Sequence, residues 1–297
     1  MIDRYHLRYF LAVIDQGNFS KAAAFCNVSQ PTLSVGIAKL EAMIGQPLFV
    51  RTNRRVELTG AGADLVSHAR RIEAEFGLAE RGPAGAGKIA TIRLGVLATT
   101  PWQWIETFLQ RQLAFPGDER VEIVEGRERD LLEGLTRGRI DVALTIVRDN
   151  ARFESETLFS EGYALAMASG HRLADRAVIA ADELIHEPMI VRRQCELLSE
   201  TSRHFTARGV RPFFPARTTS EVRALSYVRA GLGVTVMPDC FTDAGIVRPR
   251  LRDFAFTREV GLLYARHADP ARLRDGPSIR VLIDVIEQAR HQSGGGN

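Results

Sequence analysis

Ser29, Gln30, Pro31, Thr32 and Ser34 fall within one short window, and Lys39, Arg51, Arg54 and Arg55 follow soon after. Short hydroxyls and a carboxamide can exchange hydrogen bonds with base edges, while guanidinium and ammonium groups neutralise phosphates. Such groups act together only if a scaffold aims them. Upstream, Leu7, Phe10, Leu11 and Ile14 recur at i, i+3, i+4 and i+7, one face of an amphipathic helix that Gly17 can stop. Ser20 is placed to cap a short second helix over Lys21–Cys26, whose alanines permit close helix approach. Asn27-Val28-Ser29 makes a turn. Ser29 then caps a third helix with Pro31 in its first turn, where a missing N–H loses no partner. Leu33, Ile37, Leu40 and Ile44 form its buried stripe, and Gly45 ends it. This is the pattern of a helix-turn-helix, whose second helix enters a DNA major groove.

Three packed helices of any small domain would share that spacing, so the next residues matter. "PLFVRTNRRVELT" reads as a strand over Leu48–Arg51, a polar turn at Thr52-Asn53-Arg54 and a returning strand over Val56–Leu58. A two-stranded wing with three arginines beside such a helix pair can reach phosphates or a narrow minor groove. From Thr59, Leu65, Val66, Ala69, Ile72 and Phe76 make an apolar stripe along a helix to about Arg81, suited to a partner helix or to the helix's own domain. "RGPAGAGK" closes that helix as a hinge.

A second set of chemistry-bearing residues lies further on. "TIRLGVL", "VEIVEG" and "IDVALTIV" alternate with helical segments, a β-α-β-α-β order that calls for a parallel sheet. "YALAMAS", "PMIVRR", "RPFFPAR" and "GVTVMP" continue with further helices, and "EVGLLYAR" reads as a return strand. Open α/β sheets bind ligands beyond the carboxyl ends of their strands. Those ends carry Thr99, Thr100, Arg127, Arg148, Arg192, Arg193, Thr219 and Ser220. Arginine forks match carboxylates and helix N-termini favour anions, so a small organic anion is the expected ligand. For each hydroxyl, plain helix capping is the competing role.

The run "FSKAAAFCNVSQPTLSVGIAKLEAMIGQPLFVRTNRRVELTGAG" closely resembles the N-terminal domain of LysR-type transcriptional regulators, and "RLGVL", "GRIDVALTI" and "YVRAGLGVTVMP" resemble the family more loosely. The resemblance implies a winged helix-turn-helix at residues 1–58, a dimerising linker helix and hinge at 59–88 marked by Leu65, Ile72 and Phe76, and a two-lobed, periplasmic-binding-protein-like α/β effector domain at 89–297. The first lobe is expected over about 89–160 and 266–293, the second over about 161–265. Implied partners are a double-stranded DNA operator, a small-molecule effector, further copies of the chain as homodimer or homotetramer, and RNA polymerase. The sequence departs from the family where the third helix reads Ser34-Val35-Gly36, since an arginine or other polar residue often follows that serine. The face Pro31, Val35, Ala38 and Ala42 offers methyl groups, so readout leans on thymine methyls with Gln30, Thr32 and Ser34 as polar contacts.

Composition narrows the alternatives. The 297 residues, 45 % hydrophobic and 25 % charged, suit a globular protein of about two domains. No run of about 18 apolar residues suggests a membrane span, and Asp3, Arg8 and Asp15 interrupt the first apolar pattern, so a cytoplasmic protein is expected. Of the net charge of +3, residues 1–58 carry all the excess, with seven Arg and Lys against four acids. Cys26, Cys195 and Cys240 lie far apart, without C-x-x-C or a His/Cys cluster, so neither disulfide framework, metal nor cofactor is expected. No G-x-S-x-G, H-E-x-x-H or Walker loop points to an enzyme. Two rival readings stand beside the effector-controlled regulator. One is a solute-binding protein or enzyme with an incidental N-terminal module. The other is a redox-sensing regulator in which Cys195 forms a sulfenic acid.

Overall fold

The computed structural model describes residues 2–51, 56–79, 90–114, 119–148 and 152–294. Helices α1 (Arg4–Gln16), α2 (Phe19–Phe25) and α3 (Gln30–Ile44) enclose a first core around Phe10, Leu33, Ile37 and Leu40. Gly17 and Gly45 end α1 and α3 at φ 64° and 77°, the left-handed stop that glycine tolerates best. The cap of α2 is Asn18, not Ser20: its Oδ1 accepts from the N–H groups of Ser20 and Lys21, so the helix starts at Phe19. Asn27 closes the turn at φ 56°, where asparagine is among the few tolerated residues. Ser29 Oγ accepts from Thr32 N–H at 3.2 Å and caps α3, with Pro31 in the first turn as its fixed φ requires. Gly36 weakens α3 by about 1 kcal/mol against alanine. Its use is packing: a Cβ there would lie 2.6 Å from the Tyr9 ring, so α1 and α3 approach this closely only over a glycine.

Strands β1 (Phe49–Arg51) and β2 (Val56–Leu58) pair antiparallel with Arg51 opposite Val56. Glu41 Oε1 accepts from Leu48 N–H at 2.9 Å and ties this wing to α3. Helix α4 (Gly60–Ala79) is capped by Thr59, whose Oγ1 accepts from Gly62 N–H at 3.0 Å. Its apolar stripe divides. Val66 and Ala69 are buried in the first core and Leu65 packs half-buried against it, whereas Ile72 and Phe76 stay 37 % and 43 % exposed. Leu65 thus serves its own domain, because the first turns of α4 lean back on α1.

The larger domain opens with β3 (Ala90–Leu97), α5 (Trp102–Ala114), β4 (Glu119–Gly126), α6 (Glu128–Thr136) and β5 (Val142–Ile146). Strand β3 runs parallel to both neighbours, as crossover helices demand. Next come β6 (Glu154–Ala168), β7 (Val178–Ile179), β8 (Ile190–Arg192), α7 (Leu198–Ala207), β9 (Ala216–Thr218), α8 (Glu221–Arg229), β10 (Thr235–Pro238), β11 (Ile246–Val247), β12 (Arg250–Leu251), β13 (Thr257–Tyr264), α9 (Pro270–Asp275) and α10 (Pro277–Gly294). The main sheet has the order β10-β6-β13-β5-β3-β4, with β11 also on β6. Strand β6 serves both lobes: residues 154–162 pair with β13 and residues 163–168 with β10 and β11. Because β13 lies antiparallel between β5 and β6 through Val260–Tyr264, the return strand belongs to the first lobe. The second lobe therefore ends before residue 265. Helix α7 begins at Leu198, leaving Cys195 and Glu196 in the loop ahead of it.

Candidate functional site

The outer face of α3 carries the candidate nucleic-acid contacts. Ser29, Gln30, Pro31, Thr32, Val35, Ala38 and Lys39 are exposed, and Ser34 is half-buried. Ser29 Oγ and Thr32 Oγ1 lie 2.7 Å apart, and Gln30 Oε1 accepts from Ser20 Oγ at 3.0 Å. These exposed bonds hold the polar groups in place and are individually weak, because water competes for them. The close approach over Gly36 brings α1 alongside, so Tyr5 and Tyr9 line the same groove as Pro31, Thr32, Val35 and Lys39. The two tyrosines lie at i and i+4 on α1, away from its buried stripe, a spacing visible in sequence. Arg54, Arg55 and the Arg51 side chain lie outside the described residues.

The strand-end set does not converge into one cluster. Arg127 and Arg193 are exposed. Arg148 forks onto Glu128 in the first turn of α6, at 2.6 and 2.9 Å. Arg192, 2 % exposed, points into the second lobe, donating to Glu221 Oε2 at 2.5 Å and to the Val236 carbonyl at 2.7 Å. Ser220 caps α8 through its Oγ, and Thr219 is exposed. The members of the set lie at or just after the ends of β3, β4, β5, β8 and β9, but carboxylates on adjacent helices take up the Arg148 and Arg192 guanidinium groups.

Thr99 and Thr100 are buried, and Thr99 belongs to a junction between the lobes that its own sequence neighbourhood does not announce. At its centre is Arg258 on β13, 5 % exposed. Its Nη1 donates to Thr99 Oγ1 at 3.0 Å and its Nη2 to the Thr99 carbonyl at 3.1 Å, both in the first lobe. On the other side it binds Glu196 Oε1 at 2.5 Å and Glu161 Oε1 at 2.7 Å. Tyr163 donates to Glu196 Oε1 at 2.6 Å, and Glu161 Oε2 accepts from Cys240 N–H at 2.7 Å. Arg258 and Glu161 face each other directly in the β13–β6 register. An arginine near the start of one strand and a glutamate in the other were the signal available in sequence, but the pairing needs a register between residues 97 apart.

Electrostatics explain why this cluster is tight. Burial favours the neutral form of Glu196, yet the Arg258 guanidinium, with the Tyr163 hydroxyl and Arg192, outweighs it and holds the carboxyl below its usual range. Burial likewise works against a charged Arg258, and Glu196 leads the groups that keep it protonated. One guanidinium faces two carboxyl groups. Glu196 Oε2 is buried without a hydrogen-bond partner. Burial also pushes the Cys195 and Cys240 thiols up, and Cys26, Cys195 and Cys240 are all free. The first lobe touches the small domain directly: Arg139 Nη2 donates to the Ile14 carbonyl at the end of α1, at 2.6 Å.

Residues 5–63 match the family described as bacterial regulatory helix-turn-helix protein, lysR family, and residues 85–289 match the LysR substrate binding domain. The chain belongs to the LysR family. It is accordingly a DNA-binding transcriptional regulator with a winged helix-turn-helix and a two-lobed α/β effector domain. LysR relatives include a hydrogen peroxide-inducible genes activator of Dickeya chrysanthemi, 30 % identical over 83 % of this chain and 81 % of that protein. The DNA-binding transcriptional dual regulator OxyR of Escherichia coli K12 is 29 % identical over 95 % of this chain and 98 % of its own. Full-length OxyR of Pseudomonas aeruginosa shares the LysR fold at a TM-score of 0.68 and 23 % identity, covering 97 % of this chain and 95 % of that one. Among the described residues no helix is long and apolar enough to cross a membrane.

Proposed function

We propose that the protein is a cytoplasmic regulator that binds a near-palindromic operator as a homodimer or a dimer of dimers, without catalysis. Gln30, Thr32 and Ser34 read base edges, Pro31 and Val35 meet thymine methyls, and Ser29, Lys39, Arg51, Arg54 and Arg55 hold the backbone. Ile72 and Phe76, the exposed remainder of the α4 stripe, supply the pairing surface. Operator-bound protein then meets RNA polymerase.

The observation that carries the effector reading is Arg258, on the first lobe's return strand, bonded to Thr99 on one side and to Glu196 of the second lobe on the other. A small organic anion cannot simply add to this junction, because Arg258 already faces two carboxylates. It can replace one. A ligand carboxylate that takes the place of Glu196 on Arg258 releases a bond that fixes the second lobe to the first, and Arg148, paired with Glu128 inside the first lobe, offers it a second guanidinium. The lobes then favour a different arrangement, which the Arg139–Ile14 contact passes to the small domain. The ligand acts because it binds that arrangement better than the locked one. Thr100 and Arg127 flank this route, while Arg192, Arg193, Thr219 and Ser220 support the second-lobe wall. A thermal-shift screen of small carboxylates against their amides, repeated on Thr100→Val and Arg148→Gln, tests the reading. Stabilisation by an acid, absent with its amide and reduced in both variants, is expected; equal responses from acid, amide and variants sink it.

A redox signal is the second reading, favoured by the position of Cys195 beside Glu196 and by relatives named for hydrogen peroxide. Peroxide would convert the thiol to a sulfenic acid with release of water, placing a bulkier polar group in the junction loop. The raised thiol works against fast reaction, since the thiolate is the nucleophile. Peroxide-dependent footprints that vanish in Cys195→Ser, with the acid response of the parent absent, would establish this reading in place of the first.

A further inference from the structure

The second lobe contains a cavity of about 590 Å3 between β8, β9 and α7, with neither Thr99 nor Thr100 in its lining. Its volume falls in the range of small-molecule sites, typically about 300–1,000 Å3, which are mostly apolar with a few placed polar groups. Ile190, Phe205, Val210 and Val236 form apolar walls, and the exposed side chains of Leu198 and Phe214 stand at its surface. Two buried polar atoms on lining residues have no hydrogen-bond partner, Arg192 Nη2 and Thr201 Oγ1. Buried polar groups in folded proteins are nearly always paired, so two orphans on lining residues leave hydrogen-bond capacity beside the cavity. Arg211 and Arg217 also line it, both exposed, and neither forms an ion pair among the described residues. Arg217 lies over the Phe214 ring, 5.6 Å from its centroid.

We propose that this cavity is a second small-molecule site, distinct from the junction, for an amphipathic carboxylate with an aromatic body. The apolar walls take the rings, Arg192 Nη2 and Thr201 Oγ1 meet an oxygen on the body, and Arg211 and Arg217 hold the carboxylate. The Arg192–Glu221 pair is neutral as a unit, so the inner wall selects an uncharged oxygen and the exposed arginines select the charge. Cys195 also lines the cavity and precedes Glu196 in the junction loop, which makes the cavity wall continuous with the lobe–lobe contact.

The test is calorimetric titration of the full chain with 6-hydroxy-2-naphthoate and with the matching carboxamide. One acid molecule per chain is expected, bound at least tenfold more tightly than the carboxamide. Arg211→Gln with Arg217→Gln should weaken the acid at least tenfold, and Ser202→Trp, which fills the cavity from an exposed lining position, should abolish binding. Thr100→Val should leave it unchanged. Equal affinity for acid and carboxamide, or acid binding unchanged in the arginine pair, overturns the proposal, and the arginine pair decides alone if Ser202→Trp does not fold. Binding lost in Thr100→Val but kept in Ser202→Trp overturns it too, while leaving the junction reading intact.

Discussion

The α3 face and the lobe junction use similar side chains in opposite ways. On α3, Ser29, Gln30 and Thr32 stand in solvent, held by neighbours three to ten residues away. At the junction, a buried guanidinium joins groups 159, 97 and 62 residues away. The first arrangement can exchange its partners for DNA at little loss, because water and protein bonds are nearly equivalent there. The second cannot lose one partner without stranding a charge in a low-dielectric interior. Exposed polar residues of the α3 kind can therefore be altered without harm to folding, whereas the junction residues are part of the fold.

The largest expected effect follows from that asymmetry. Arg258→Met leaves Glu161 and Glu196 buried and unpaired, and should lower the unfolding free energy of the effector domain by about 3–5 kcal/mol in urea titrations. A loss near zero would mean that water reaches the junction and that the contrast with α3 is false. At the other pole, Gln30→Ala and Ser34→Ala should each weaken operator binding by up to about 1–3 kcal/mol while the urea midpoint stays at the parent value. A change in midpoint would make these residues structural. Arg54→Ala with Arg55→Ala should reduce affinity for all DNA alike and flatten the salt slope by roughly one unit per lost phosphate contact, read from filter binding across a salt series.

The smallest effect concerns acid. The folded Glu196 carboxyl titrates below its ordinary value of 4.5, so its contribution to stability is complete above that value and is lost as pH falls through the lower folded one. Glu196→Gln should flatten the acid limb of the stability curve. The α3 variants should follow the parent, and a limb unchanged in Glu196→Gln would remove this carboxyl from the acid response.

The same contrast governs what the sequence reveals. Helix caps, Pro31, Gly45 and the parallel β-α-β-α-β order are legible because each depends on residues a few positions apart. Asn18 and Ser20 are both good caps, and only the observed bonds choose between them. Strand β6 is legible from Tyr163 onward, where its apolar run begins, but not in the polar stretch before it. The Arg258–Glu161 pair is hidden because opposite charges reveal a contact only once strand register is known. Arg148 and Arg192 were visible as strand-end arginines, yet Glu128 and Glu221, which neutralise them, sit on helices whose facing could not be read. Leu65 and Ile72 share a stripe in sequence and part company only because α4 leans against α1.

Central to the proposed function is the junction's control of the DNA-reading heads. Its most direct test compares the parent and Thr99→Val on DNA from upstream of the protein's own coding sequence, measuring bend angle and footprint length. Valine keeps the shape of threonine but removes the Oγ1 that accepts from Arg258 Nη1. A changed bend or footprint length, with each half-site still protected and operator affinity within about tenfold, is the predicted result. Identical bends and footprints in a folded Thr99→Val protein would contradict it.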